Sequence, residues 1–98
     1  MKKLLLVIDV QNDFINENTR KTALNKELEE YISKNNIDEI YLCGFDTDAC
    51  VQKTAIDLFE NNYNVYVLKD YCMSHKGAEL HNVIINNLCR LIGRDKII

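Results

Sequence analysis

The sequence lacks the features of several classes of protein. Twelve lysines and arginines stand against fifteen aspartates and glutamates, and the net charge of −3 leaves no concentrated basic surface for nucleic acid or anionic lipid. The first apolar run, residues 4–8, ends at Asp9 without a cleavage site of small residues, and no other run approaches the length of a membrane span. We therefore expect a cytoplasmic protein with no nucleic-acid and no membrane partner.

The spacings typical of metal and disulfide sites are also missing. The four cysteines form no CxxC pair and follow no export signal, so we expect reduced thiols, with Cys72 the most prone to oxidation. His75 and His81, the only histidines, lack the HxxxH or HExxH spacing that places two rings on one helical face. The sequence therefore predicts no metal site and no cofactor, with His75 in a polar loop near the pocket and His81 at the surface.

The residues that are present predict one small α/β domain covering residues 1–98. With 47% hydrophobic residues, no proline and three glycines, the chain has the apolar content of a single core. The apolar periods predict strands at residues 4–10, 40–43 and 64–68, a last edge at residues 97–98, and helices at residues 24–35, 50–60 and 80–92. Strands separated by helices require crossover connections, so we expect a three-layer α/β fold, with a parallel sheet covered on both faces.

Polar residues follow each predicted strand, at the end of a parallel sheet where ligands bind. Cys50 lies where the second strand passes into a helix, so the helix dipole favours its thiolate. Such a thiolate can attack a carbonyl carbon, with Asp9 accepting the thiol proton and the backbone amides of the turn receiving the oxyanion. The spacing alone is equally compatible with Cys50 as a small buried apolar residue and with Asp9 as the end of a strand.

Two motifs carry a family resemblance. Residues 5–14, LLVIDVQNDF, and residues 44–51, GFDTDACV, followed by Thr54-Ala55 and the run VYVLKD, resemble the isochorismatase-like cysteine hydrolases. The resemblance implies a Rossmann-like, isochorismatase-type fold and hydrolysis of a C–N bond in a small amide through a thioester. It makes Cys50 the nucleophile and Asp9 the general base. It also implies a cis peptide at Phe45-Asp46, with the backbone amides of Asp46 and Cys50 as the oxyanion hole.

The sequence departs from the family pattern between Phe14 and Thr22. This segment is much shorter than in the family, and the expected catalytic lysine falls in register with Asn18, so Lys21 is the nearest candidate for that role. An internal deletion explains both differences, and it leaves the first strand with a bare edge. Because a small domain with an exposed edge favours pairing with a second copy, we expect a homo-oligomer. Phe14 and Phe45 are candidate substrate-binding residues.

Two other functions remain open from the sequence. One is a remnant of the hydrolase scaffold that folds but does not turn over amides. The other is a receiver-like signalling domain, because Asp9, Asp13, Asp46 and Lys69 follow strands as the phospho-acceptor residues of a receiver do. That interpretation gives no role to Cys50 and does not explain the second motif. An amidase acting on a small-molecule substrate is the function that the sequence favours.

Overall fold

A computed structural model describes residues 1–9 and 26–98 of the chain. In chain order the elements are β1 (Lys3–Asp9), α1 (Lys26–Lys34), β2 (Glu39–Phe45), a π-helical turn (Thr47–Val51), α2 (Gln52–Glu60), β3 (Val65–Met73), α3 (Ala78–Ile92) and a 3-10 turn (Arg94–Lys96). The predicted α/β fold with a reduced parallel sheet is confirmed. Two of the predicted site residues, Phe14 and Lys21, lie outside the described residues.

The described strands form one parallel sheet in the order β1-β2-β3. Leu4 pairs with Ile40, and Ile40 pairs with Val65, so the three strands run side by side in register at their amino ends. β1 lies at one edge of these three described strands. At the other edge Ile97 forms a parallel bridge with Val67, which confirms the predicted last edge.

The core lies on one face of this sheet. Leu42 and Val67 are fully buried there, and they belong to the same cluster as Leu58 of α2 and Leu88 of α3. The chain moves across the sheet in one direction from β1 to β3, and right-handed crossovers in one direction place their helices on the same face. Each fully buried leucine contributes about 1.5–3 kcal/mol of apolar transfer free energy.

The other face of β1 is exposed, contrary to the prediction that both faces are covered. Leu5 and Val7 are 56% and 66% exposed, whereas Leu4, Leu6 and Ile8 pack against the core. A continuous apolar run shows that both faces of a strand are apolar, but it does not show what covers the second face. Among residues 1–9 and 26–98, no helix is long and apolar enough to cross a membrane.

The same face of the sheet continues onto β2 and β3, where its side chains are half-buried. Leu5 pairs with Tyr41 and Tyr41 pairs with Tyr66, while Val7 pairs with Cys43. The two tyrosine rings stack with their centroids 5.0 Å apart. We call the surface formed by Leu5, Val7, Tyr41, Cys43 and Tyr66 the open sheet face.

β3 is longer than the sequence predicts. The predicted strand ends at residue 68, but the observed strand continues to Met73, with a shift in its pairing to β2 between Leu42 and Gly44. Lys69 and Asp70 therefore lie within the strand and not beyond its end. The polar pair interrupts the apolar pattern, and the irregular register at this point accommodates them without ending the strand.

Candidate active site

The parallel register brings two predicted site segments together. Asp9, the last residue of β1, pairs with Phe45, the last residue of β2. The next residue, Asp46, follows a cis peptide bond and precedes the turn that carries Cys50. The cis bond is where the family resemblance places it. Parallel strands that end together therefore bring the Asp9 backbone next to the start of the Cys50 segment.

The π-helical turn folds around the carbonyl of Asp46. The amides of Ala49 and Val51 each donate a hydrogen bond to this carbonyl oxygen, both at 3.1 Å. Cys50 is half-buried and lies in the turn, two residues before α2 begins at Gln52. The thiol is thus at the strand-to-helix junction that the sequence predicts, in a π-helical turn and not in the first turn of the α-helix.

The connection after β3 contacts this turn through Asp46. Nδ1 of His75 lies against Oδ2 of Asp46, and the His75 amide donates a hydrogen bond to Oδ1 of Asp46 at 3.2 Å. The His75 side chain is 71% exposed. The sequence predicts His75 in a polar loop near the pocket, and the structure adds that its partner is the residue that opens the Cys50 turn.

A second contact joins the turn to α3. Oγ1 of Thr47 lies 2.7 Å from Nδ1 of His81, and Thr47 is fully buried. The prediction of a surface position for His81 is wrong, because His81 is half-buried against the turn. The sequence spacing predicts this burial. His81 precedes the buried Ile85, Leu88 and Ile92 by 4, 7 and 11 residues, and residues at these spacings lie on one face of a helix.

The third contact of the turn joins Asp48 to Ser74. A hydrogen bond from the buried Ser74 lowers the pKa of Asp48, and burial of the carboxyl opposes this. A backbone hydrogen bond of Asp48 and the nearby Lys76 and His75 lower the pKa in smaller part. Oδ1 of Asp48 is shielded from solvent and has no hydrogen-bond partner among the described residues. Three consecutive residues, Asp46 to Asp48, are therefore held by the segment that follows β3.

The thiols of this region differ in environment. The pKa of Cys72 is raised to about 11, chiefly by burial and in smaller part by the neighbouring Cys43, while a hydrogen bond with the Gly44 backbone opposes the rise. Cys72 is therefore protonated and shielded, which contradicts the prediction that it is the thiol most prone to oxidation. None of the four cysteines forms a disulfide.

The described residues contain no group of three or more His, Cys, Asp or Glu side chains that could hold a metal ion. An open cavity of about 500 Å³ lies between β3 and α3, and its lining includes Lys69, Asp70 and His81 but not Cys50.

Phe45, the predicted substrate-binding residue within the described range, is 41% exposed beside the turn. Hence the structure gathers the Asp9 backbone, Phe45, Asp46 and Cys50 at one sheet end.

Comparison with known proteins identifies the family of this chain. The isochorismatase domain model matches residues 17–93. The chain belongs to the isochorismatase family. Isochorismatase domain-containing protein 2 of Xenopus laevis is 40% identical over 62 residues, which are 62% of this chain and 30% of the frog protein. A nicotinamidase of Saccharomyces cerevisiae is 41% identical over 54 residues, covering 55% of this chain and 23% of the yeast protein.

A solved family structure has the same fold. The isochorismatase-like hydrolase from Alkaliphilus metalliredigens superposes with a TM-score of 0.66 at 33% identity, covering 74% of this chain and 40% of the other. The matched part of this chain thus spans less than half the length of each family member compared.

Proposed function

We propose that this chain hydrolyses the C–N bond of a small amide, with Cys50 as the nucleophile and Asp9 as the general base. The observation that supports this most strongly is the β1–β2 register. It pairs Asp9 with Phe45, directly before the turn that carries Cys50. The nicotinamidase relative from yeast suggests a nitrogen-containing aromatic amide as the first substrate to test.

In the proposed acylation step, the Asp9 carboxylate takes the proton of the Cys50 thiol. The thiolate sulfur forms a bond to the amide carbon, and the carbonyl oxygen becomes an oxyanion that accepts hydrogen bonds from the amides of Asp46 and Cys50. The tetrahedral intermediate then collapses. The C–N bond breaks, the leaving nitrogen takes the proton from Asp9 and departs as ammonia, and a thioester to Cys50 remains.

In the proposed deacylation step, water replaces ammonia as the reactant. Asp9 takes a proton from the water, whose oxygen attacks the thioester carbon, and the same two amides receive the second oxyanion. Collapse breaks the C–S bond and returns the proton to the Cys50 sulfur, so the products are a carboxylic acid and the regenerated thiol. Lys21 is proposed as the cation that balances the thiolate charge, and Phe14 and Phe45 as walls for the substrate ring.

The test is release of ammonia from a panel of small amides, beginning with nicotinamide, together with mass spectrometry of the trapped acyl-enzyme. Cys50→Ala is expected to abolish both signals, and Asp9→Asn to lower the rate of acylation by about 10²–10⁴-fold. Cys89→Ala is the matched control, because Cys89 is a half-buried thiol on α3. Equal loss of activity in the Cys50 and Cys89 variants would contradict the assignment.

A remnant of the hydrolase scaffold is the second candidate, because the matched part of the chain covers only 30% of the frog relative. Iodoacetamide labelling separates the two candidates. Selective labelling of Cys50 that slows in Asp9→Asn, without ammonia from any amide, supports the remnant. Ammonia release with the same labelling pattern supports the hydrolase, and equal labelling of all four thiols contradicts the nucleophile assignment.

We also propose that residues 1–98 work as one domain, that two copies associate through the open sheet face, and that the protein acts in the cytoplasm. The absence of a disulfide among the four cysteines is compatible with a reducing compartment. The apolar open sheet face supports association, since parallel sheets in folded proteins are covered on both faces.

A further inference from the structure

His81 and Thr47 form a contact that the family resemblance did not point to. The two residues are 34 positions apart, and they join the first helical turn of α3 to the first residue of the π-helical turn. Thr47 has no solvent exposure. A buried hydroxyl without a partner costs about 1–3 kcal/mol, so His81 satisfies a group that would otherwise be destabilising.

We propose that His81 is a positioning residue that acts through Thr47 to hold the oxyanion-hole amides in place. Thr47 directly follows Asp46 and lies three residues before Cys50, so it sits between the two amides that the proposed function assigns to the oxyanion. A bond to the middle of this segment fixes both donors relative to α3. The inference rests on the proposed function, because it concerns how that site is held.

The other contacts of the turn explain why this bond matters. The Asp46 carbonyl oxygen accepts hydrogen bonds from two amides of the turn itself. These bonds fix the shape of the turn but not its placement on the rest of the molecule. In the Asp46 contact to His75 the histidine side chain is 71% exposed, and a contact made by such an exposed side chain contributes little. The Thr47–His81 bond is shielded, short and anchored on a 15-residue helix. It is therefore a better candidate for placing the turn than the Asp46–His75 contact, and it acts beside the Ser74–Asp48 bond at the next residue.

The competing explanation is that the Thr47–His81 bond only stabilises the fold. Separating this explanation from the positioning role requires a measurement other than stability. Alkylation of Cys50 by iodoacetamide forms no oxyanion, whereas hydrolysis and the reversible addition of an aldehyde both do. A misplaced oxyanion hole therefore weakens aldehyde addition and lowers kcat, and it leaves the alkylation rate and KM nearly unchanged. Partial unfolding of the turn would change alkylation as well.

The experiment uses pyridine-3-carbaldehyde labelled with ¹³C at the carbonyl, with the hemithioacetal to Cys50 detected by NMR. Thr47→Val and His81→Ala are expected to raise the dissociation constant of the adduct about tenfold or more and to lower kcat by about 10–100-fold. Thr47→Ser, which keeps the hydroxyl, and His81→Asn, which keeps a polar atom near the Nδ1 position, are expected to restore most of the loss. Asn82→Ala, an exposed neighbour on α3, is the matched control.

The possible results separate the two proposals. If the full chain forms no adduct and releases no ammonia, the proposed function fails and this inference fails with it. If the adduct forms but has the same dissociation constant in Thr47→Val and in the unmodified protein, only the positioning role is overturned. A loss in Thr47→Val that also slows iodoacetamide labelling to the same extent overturns it too, because the effect would then be on the fold of the turn.

Discussion

Gly44 of β2 lies directly against the backbone of Ile8 in β1. A Cβ atom at Gly44 would collide with the Ile8 carbonyl oxygen and come within 2.8 Å of the Ile8 nitrogen, and the φ angle of Gly44 is +117°. This contact sits one residue before the Asp9–Phe45 pair. Any side chain at Gly44 therefore pushes apart the two strands whose ends form the candidate site.

We expect Gly44→Ala to destabilise the protein by more than the conformational cost alone. Gly77 has a similar φ of +110° but no atom within 4 Å of its would-be Cβ, so Gly77→Ala measures backbone strain without a collision. That strain costs about 1–3 kcal/mol, and Gly44→Ala should exceed it in urea unfolding. Equal losses in the two variants would show that β1 and β2 can separate at this point at no cost.

A second prediction concerns the reactivity of Cys72. Its pKa is raised from 9.0 to about 11. Because the thiolate is the reactive form, this rise of about two pH units lowers the thiolate fraction of Cys72 below pH 9 about a hundredfold relative to a thiol of pKa 9.0. Iodoacetamide should therefore label Cys72 last of the four cysteines at pH 8, with a rate that rises up to about pH 11. Peptide mass spectrometry after timed labelling measures this. Labelling of Cys72 as fast as that of the half-buried Cys89 would contradict the burial argument.

The sequence predicted the strands and helices because their apolar periods are clear, and the motif order predicted the junction at Cys50. It did not predict the contacts that hold that junction. A surface position is expected for His81 from its residue type, although its spacing from Ile85 and Leu88 places it on the buried face of α3. The exposure of the open sheet face is not predicted by the sequence, for another reason. The run from Leu4 to Ile8 is apolar on both sides, and the periodicity of one strand does not identify its neighbours.

A third prediction uses the hydrogen bond between Ser74 and Asp48. The bond lowers the pKa of Asp48 below its ordinary 3.8 in the folded state. A lowered folded pKa gives stability that is fully present above the unfolded pKa and is lost as the pH falls through the folded value. We therefore expect Ser74→Ala to cost about 1–2 kcal/mol at pH 7 and to reduce the loss of stability below about pH 4.

Urea unfolding at pH 7, 4 and 3 measures the effect of Ser74→Ala. Ser33→Ala is the matched control, because Ser33 is an exposed serine on α1. The difference between the two variants at pH 7 should narrow as the solution becomes acidic. A difference that stays constant from pH 7 to pH 3 would mean that Ser74 stabilises the protein through its acceptor contact to the Lys76 amide alone.

The last prediction concerns the open sheet face and its proposed occupant, a second copy of the chain. Val7 is 66% exposed on this face, so Val7→Lys removes no buried contact of the described monomer and places a charge where two apolar faces would meet. Sedimentation velocity should detect a species of twice 11.4 kDa for the unmodified protein and the 11.4 kDa monomer for Val7→Lys. Leu91→Lys, at a 55% exposed position on α3, should leave the dimer intact. A monomer at every concentration from about 1 to 100 μM would show that no second copy covers this face. A Val7→Lys protein that unfolds more easily than the unmodified protein even at about 1 μM would show that the substitution acts within the monomer, which contradicts the assignment of Val7 to the dimer contact.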